Sequence, residues 1–151
     1  MFAQIYVTSD KICNCPELKI LTFEPNNMLL YSDLTFKIRG AIFKVYNFCG
    51  PGLFEQVYEE SLICQLRKEG LKVEHQIPLP VVYDGQTLPC DYRLDLLVED
   101  KIIIELKSVE ELKPLHYKQL LTYLKIANKK VGLLVNFNVN DMSKGIHRVV
   151  L

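Results

Sequence analysis

The chain has 151 residues, 49% of them hydrophobic, which is enough for one domain with a buried core. Its 18 basic and 18 acidic residues cancel, so no overall field points to a nucleic acid or a membrane, and any such binding must come from a local patch. Five cysteines, odd in number and forming neither a C-x-x-C pair nor a Cys/His zinc pattern, fit a reduced cytoplasm.

The first residues, MFAQIYVTSDK, lack a basic segment followed by an apolar one, and no apolar run approaches the roughly 18 residues of a membrane helix. The expectation is a soluble, cytoplasmic protein with no membrane partner. Residues 1–27 show no sustained periodicity and read as an unassigned N-terminal extension, in which Cys13 and Cys15 are a chance pair rather than a metal site. Met28 stands where the patterned region, 28–151, begins, and is read as the natural start.

From Ser32 the pattern sharpens. Ser32 or Asp33 is placed to cap a helix whose Leu34, Ile38, Ile42, Val45 and Phe48 recur every three or four residues, and CGPG at 49–52 ends it. A second helix is expected over 53–69, with Leu53, Val57, Ser61, Leu62, Cys64 and Leu66 inward and Gly70 as its left-handed stop. The period then changes to two. LKVEHQI and LPVVY read as strands, DGQT as a turn, and YRLDLLV and KIIIELKS as a hairpin around Glu99, Asp100 and Lys101. KPLHYKQLLTYLKIAN is a helix through Leu115, Leu120, Leu121, Leu124 and Ile126, KKVGLLVNF a buried strand, and GIHRVVL a short final one. That order makes a mixed α/β layer fold.

The hairpin carries charge where a core strand should have none. Alternation puts Leu94, Leu96 and Val98 on one face and Arg93, Asp95 and Leu97 on the other; it likewise separates Ile102, Ile104 and Leu106 from Ile103, Glu105 and Lys107. With a three-residue turn, positions whose numbers sum to 200 lie opposite, so Asp95 faces Glu105 and Arg93 faces Lys107. Two partly buried carboxylates roughly 5 Å apart must share a proton or bind a cation. Oxygen donors with water retained suit Mg²⁺, and Lys107 is placed to hold or activate water and to stabilise charge on a phosphate. The plainer reading is a solvated ion-pair network of Arg93, Asp95, Glu105 and Lys107.

Asp95, nine intervening residues and Glu105-Leu106-Lys107 have the form D-xₙ-E-x-K, which resembles the PD-(D/E)XK nuclease superfamily. GLFEQVY at 52–58 reads G-x-x-E-x-x-Y and looks like the signature of the GxxExxY family within it. QLLTY at 119–123 is similar to the Q-x-x-x-Y motif of that superfamily's exonuclease-like branch. Leu94 stands where the superfamily's name has proline. The resemblance implies a restriction-endonuclease-like core, α-β-β-β-α-β, whose central mixed β-sheet is flanked by helices. It implies Glu55, Asp95 and Glu105 as ligands of Mg²⁺ or Mn²⁺, Asp95, Glu105 and Lys107 as the catalytic set, and Gln119 and Tyr123 as substrate-positioning residues. Against these stand ordinary roles: Glu55, Tyr58 and Glu59 share a helix face at solvated-stripe spacing, Tyr58 and Tyr123 are equally well core, and Gln119 a structural bridge.

The function expected is metal-dependent hydrolysis of nucleic-acid phosphodiesters, with DNA rather than RNA as substrate. Lys113, Lys118, Lys125, Lys129, Lys130, Arg67 and Lys68 are the local cations available. The alternative is a non-catalytic nuclease-fold module that binds nucleic acid or a protein partner, including a second copy of itself.

Overall fold

The computed structural model describes residues 30–151; the N-terminal extension with Cys13 and Cys15, and Met28 after it, lie outside the described residues. Helix α1, Ser32–Cys49, buries Thr35, Ile38, Ala41, Ile42 and Val45. The cap expected from Ser32 or Asp33 is not made: Tyr31 occupies that position without a side-chain bond, and Asp33 lies in the first turn, where its charge suits the helix dipole. Phe48, expected inward, is 92% exposed, because the inward face runs from Val45 through Tyr46 and Cys49 instead.

Helix α2, Glu55–Lys68, follows a turn whose Gly50 and Gly52 have φ of 69° and 93°, backbone that only glycine adopts without strain. Tyr58 holds this turn. Its hydroxyl donates to the Gly50 carbonyl at 2.6 Å and accepts from the Leu53 N–H at 3.1 Å. Its ring, fully buried, stacks on Phe137 with centroids 4.3 Å apart. The inward stripe of α2 is therefore Tyr58, Leu62 and Leu66 with Ile63, whereas Leu53, Val57 and Cys64, expected inside, are exposed. Anchoring by Tyr58 rotates the helix away from the expected face.

Strands β1, Val73–Tyr83, and β2, Gln86–Val98, form one long antiparallel hairpin around Asp84 and Gly85. The two short strands expected before the turn are thus one strand, bulged between Leu79 and Val81. Strand β3, Ile102–Lys107, pairs antiparallel with β2, and the crossover helix α3, Pro114–Ile126, leads to β4, Val131–Asn136, parallel to β3. A single 3₁₀ turn, Met142–Lys144, precedes β5, Ile146–Val150, antiparallel to β4. Among the described residues five strands lie in sequence order in one mixed sheet.

Helices cover both faces, which is why β4 is buried at every residue. On one face α1 and α2 meet Leu96, Val98, Ile102, Ile104 and Leu106; on the other, Leu120, Tyr123 and Leu124 of α3 meet Leu94, Leu97, Ile103 and Leu134. Gly132 allows α3 this close, since a Cβ there would sit 2.8 Å from Leu120. Leu115 and Ile126, expected on the apolar stripe of α3, are exposed at its two ends.

No helix among the described residues is long and apolar enough to cross a membrane. Tyr58→Phe keeps the ring stack but deletes both hydrogen bonds to the turn, and should lower stability by about 1–3 kcal/mol. Urea denaturation checks this; an unchanged midpoint would show that the turn holds itself.

Candidate active site

The expected register of the charged hairpin is found, but only in part. Val98 pairs with Ile102, Leu97 with Ile103 and Leu96 with Ile104, each pair summing to 200. Glu99 and Asp100 take the left-handed conformation, both with φ of 53°, and the Lys101 N–H closes the turn on the Val98 carbonyl. Beyond Leu96 the ladder stops. Asp95 does not face Glu105 as a backbone pair; its Oδ2 instead accepts the Leu106 N–H at 2.7 Å, so a side chain takes the place of a strand partner.

The cause lies on both sides of Asp95. On β1 the pairs His75 with Leu96 and Ile77 with Leu94 skip Gln76, whose φ of 51° is left-handed in the middle of a strand. Each strand changes face there. Leu94 and Leu96, two apart, belong to opposite cores, and so do Val73 and Ile77. This corrects the expectation that Leu94 shares a face with Leu96 and Val98. It also separates Arg93 from Lys107: Arg93 lies opposite Pro78 on β1 and is exposed. The four-residue surface ion network is therefore absent.

What the dislocation leaves is a buried cluster. Glu105 is 1% exposed; its Oε1 receives Lys107 Nζ at 2.6 Å, while its Oε2 is buried with no hydrogen-bond partner. Burial, reinforced by the Asp95 charge, pushes the Glu105 carboxyl up to about 7. Asp95 is pushed up to about 6, chiefly by burial, against the Leu106 N–H and Lys107, which favour its charged form. Burial opposes the charge on Lys107, but Glu105 and the other carboxylates outweigh it and hold the amine above its ordinary range. Lys107 is thus an ammonium ion.

Around this cluster the expected positioning residues take distinct places. Glu55 begins α2 and its Oε1 accepts the Ser108 N–H at 2.9 Å, while Ser108 Oγ donates to the Leu53 carbonyl at 2.6 Å. The E-x-K strand and the turn before α2 are clipped together by these two bonds. Gln119 donates to the Tyr123 hydroxyl at 2.7 Å, one helical turn along α3. Burial, with Glu105 and Asp95 nearby, raises the Tyr123 phenol, so it stays protonated and has its own proton to donate. His116 accepts the Lys113 N–H at Nδ1, and burial followed by the charges of Lys107 and Lys113 lowers it. Of the other expected cations, Lys129 is tied to Asp100 at 2.6 Å.

Beside Asp95 opens a groove of about 440 Å³ lined by Glu55, Gln56, Glu59, Glu60, His75, Gln76, Asp95 and Leu106. Among the described residues no three His, Cys, Asp or Glu side chains gather closely enough to hold a metal ion, so Glu55, Asp95 and Glu105 do not form a ready-made triad. Glu105 Oε2 nevertheless fits a cation, because a buried carboxylate oxygen without a donor calls for a proton or a metal. Sequence reasoning missed Asn136, whose buried amide binds both the N–H and the carbonyl of Val109 and so fixes the segment after Lys107. An amide closing the apolar run VGLLVN was its signal. Gln76 left no signal, since nothing in VEHQI marks a left-handed residue.

A model of the PD-(D/E)XK nuclease superfamily matches residues 32–149. No curated protein and no solved structure matches the chain.

The elevated carboxyls set a pH dependence of stability. Glu105 rises from an ordinary 4.5 to about 7, so between those values the folded chain holds a proton that the unfolded chain has released. Stability is therefore present below the unfolded value and is lost as pH rises through the folded one. Between pH 5 and pH 8 the metal-free wild type should lose about 2 kcal/mol more than Glu105→Gln. Urea titrations at the two pH values measure the difference; parallel pH dependences would mean that Glu105 is ionised throughout.

Proposed function

We propose a hydrolytic role for this site on one premise: the chain belongs to the PD-(D/E)XK nuclease superfamily. Nucleases of this superfamily generally act on nucleic acids with divalent metal ions. In our reading this chain is a metal-dependent phosphodiesterase, with DNA rather than RNA as substrate and the cytoplasm as its location. Within the superfamily we place it in the GxxExxY family on Gly52, Glu55 and Tyr58. Tyr58 in that signature is the residue that holds the glycine turn, and Glu55 is the one that faces the site.

The observation that carries the proposal is Glu105 Oε2, buried and unpartnered beside a second elevated carboxyl, Asp95. Asp95 and Glu105 would hold Mg²⁺ or Mn²⁺, with Glu55 adding its charge. Once bound, the ion supplies Lewis-acid polarisation of a phosphoryl oxygen and a water acidic enough to attack at neutral pH. Lys107, being protonated, is not a base: its ammonium group stabilises negative charge growing on the phosphate oxygens and is held for that by Glu105. Tyr123, oriented by Gln119, offers its hydroxyl proton to a substrate oxygen. Ser108 and Asn136 are positioning residues that fix the backbone just after Lys107.

A second reading has its own observation. Phe48 and Phe54, 92% and 85% exposed at the corner between α1 and α2, suit a non-catalytic module that grips a protein partner or a second copy. The set Asp95, Glu105, Lys107 and Gln119 favours the first reading, because a module that had abandoned chemistry would have no use for a buried carboxylate oxygen, Glu105 Oε2, left without a donor.

In assays with Mn²⁺ or Mg²⁺ on single- and double-stranded substrates, Glu105→Gln and Lys107→Met should each lower the rate by about 10²–10³-fold. Retained far-ultraviolet circular dichroism would show that the fold persists. Activity unaffected by either substitution, or insensitive to chelation, would overturn the assignment.

A further inference from the structure

We infer that the groove beside Asp95 seats the uncharged terminus of a nucleic-acid strand, a terminal nucleoside with free sugar hydroxyls, so that hydrolysis proceeds from an end. The inference rests on the nuclease reading above and adds a substrate class to it. Its basis is an asymmetry of charge across the site.

On the groove side the lining includes Glu55, Glu59, Glu60 and Asp95, together with Gln76 and His75, and has no lysine or arginine. A nucleic-acid strand carries a negative charge at every step, and its binding rests on cations that neutralise those phosphates. A strand continuing through the groove, past a cation held at Asp95, would place its next phosphate beside Glu59 and Glu60, where like charges repel. Across the site the balance is reversed. Lys107 and Lys113 lie close enough to His116 to disfavour its protonation, and Lys113 and His116 belong to the start of α3, whose dipole attracts anions. The phosphate-bearing part of a strand therefore belongs on the α3 side, and only a neutral group belongs in the groove.

The groove is furnished for such a group. At about 440 Å³ it falls in the range of small-molecule sites. The left-handed backbone of Gln76 turns its amide onto Glu59, donating to both carboxylate oxygens at 2.8 and 2.9 Å, and His75 Nδ1 stands 3.9 Å from Glu59 Oε1. Glu59 and Glu60 accept hydrogen bonds from sugar hydroxyls, which donate and carry no charge. In the reaction, water adds to phosphorus and one P–O ester bond breaks. The departing sugar oxygen takes the proton that the water gives up, and the products are the terminal unit and a strand one residue shorter.

Four single-stranded oligonucleotides test this: one with both terminal hydroxyls free, one with a 5′ phosphate, one with a 3′ phosphate, and a covalent circle. Their binding to Glu105→Gln is followed by fluorescence anisotropy, and their cleavage by the wild type with Mn²⁺ on gels. We expect one terminal phosphate to weaken binding by about tenfold or more, the circle to bind as weakly, and Glu59→Gln/Glu60→Gln to abolish the difference. The wild type should shorten the free-ended strand and leave the circle closed. Equal affinity for all four, or an opened circle, overturns the groove assignment and leaves the nuclease reading standing. Discrimination between ends without hydrolysis in any metal keeps the groove and removes the nuclease reading. Absence of binding to every strand overturns both.

Discussion

One hydrogen bond, from the Leu106 N–H to Asp95 Oδ2, is the constraint from which the site follows. In a regular antiparallel ladder that N–H would face the backbone of Leu94. Here β2 departs from β3 after Leu96, Gln76 on β1 adopts a left-handed conformation opposite Asp95, and the carboxylate fills the gap. A buried backbone donor must be satisfied, so Asp95 is held inward at the place where burial penalises its charge. Glu105, one residue before Leu106, is buried alongside it, and the charge of Asp95 adds to the proton affinity that desolvation has already raised. Electrostatic strain of this kind persists where a ligand relieves it.

The surrounding structure keeps that strain in place. Lys107 takes one oxygen of Glu105, Ser108 ties the strand end to Glu55 and Leu53, and Asn136 fixes Val109. Tyr58 holds the turn that sets where Glu55 begins its helix. The G-x-x-E-x-x-Y signature thus divides into a glycine turn and a tyrosine that hold structure and a glutamate that reaches the site. None of this needs a basic surface, which accounts for how a chain of zero net charge can belong to a superfamily that acts on polyanions.

Much of the fold was legible in the sequence, because helices and hairpins announce themselves through periodicity. The 200-sum register followed as far as Leu96 from counting turn residues, and the D-xₙ-E-x-K pattern placed Asp95 and Glu105 in one region. Two kinds of error share a cause, which is that tertiary anchoring overrides local pattern. Leu53, Val57 and Cys64 gave a valid stripe on α2, yet Tyr58, bound to the glycine turn and stacked on Phe137, set the face. Alternation put Leu94 with Leu96, yet the dislocation at Gln76 and Asp95 moved Leu94 to the opposite core. That failure of period-two reading falls at the carboxylate on which the site depends, where function is expected to break local rules.

The central claim is that Asp95 and Glu105 form a cation site. Calorimetric titration of Mg²⁺ and Mn²⁺ into the wild type and into Asp95→Asn/Glu105→Gln, with circular dichroism to establish folding, measures it most directly. Saturable binding by the wild type at pH 8, weakening toward pH 6 as protons reclaim carboxyls held at about 6 and about 7, and lost in the double variant, is the predicted result. A wild type that binds either ion no more tightly than the double variant would contradict the account.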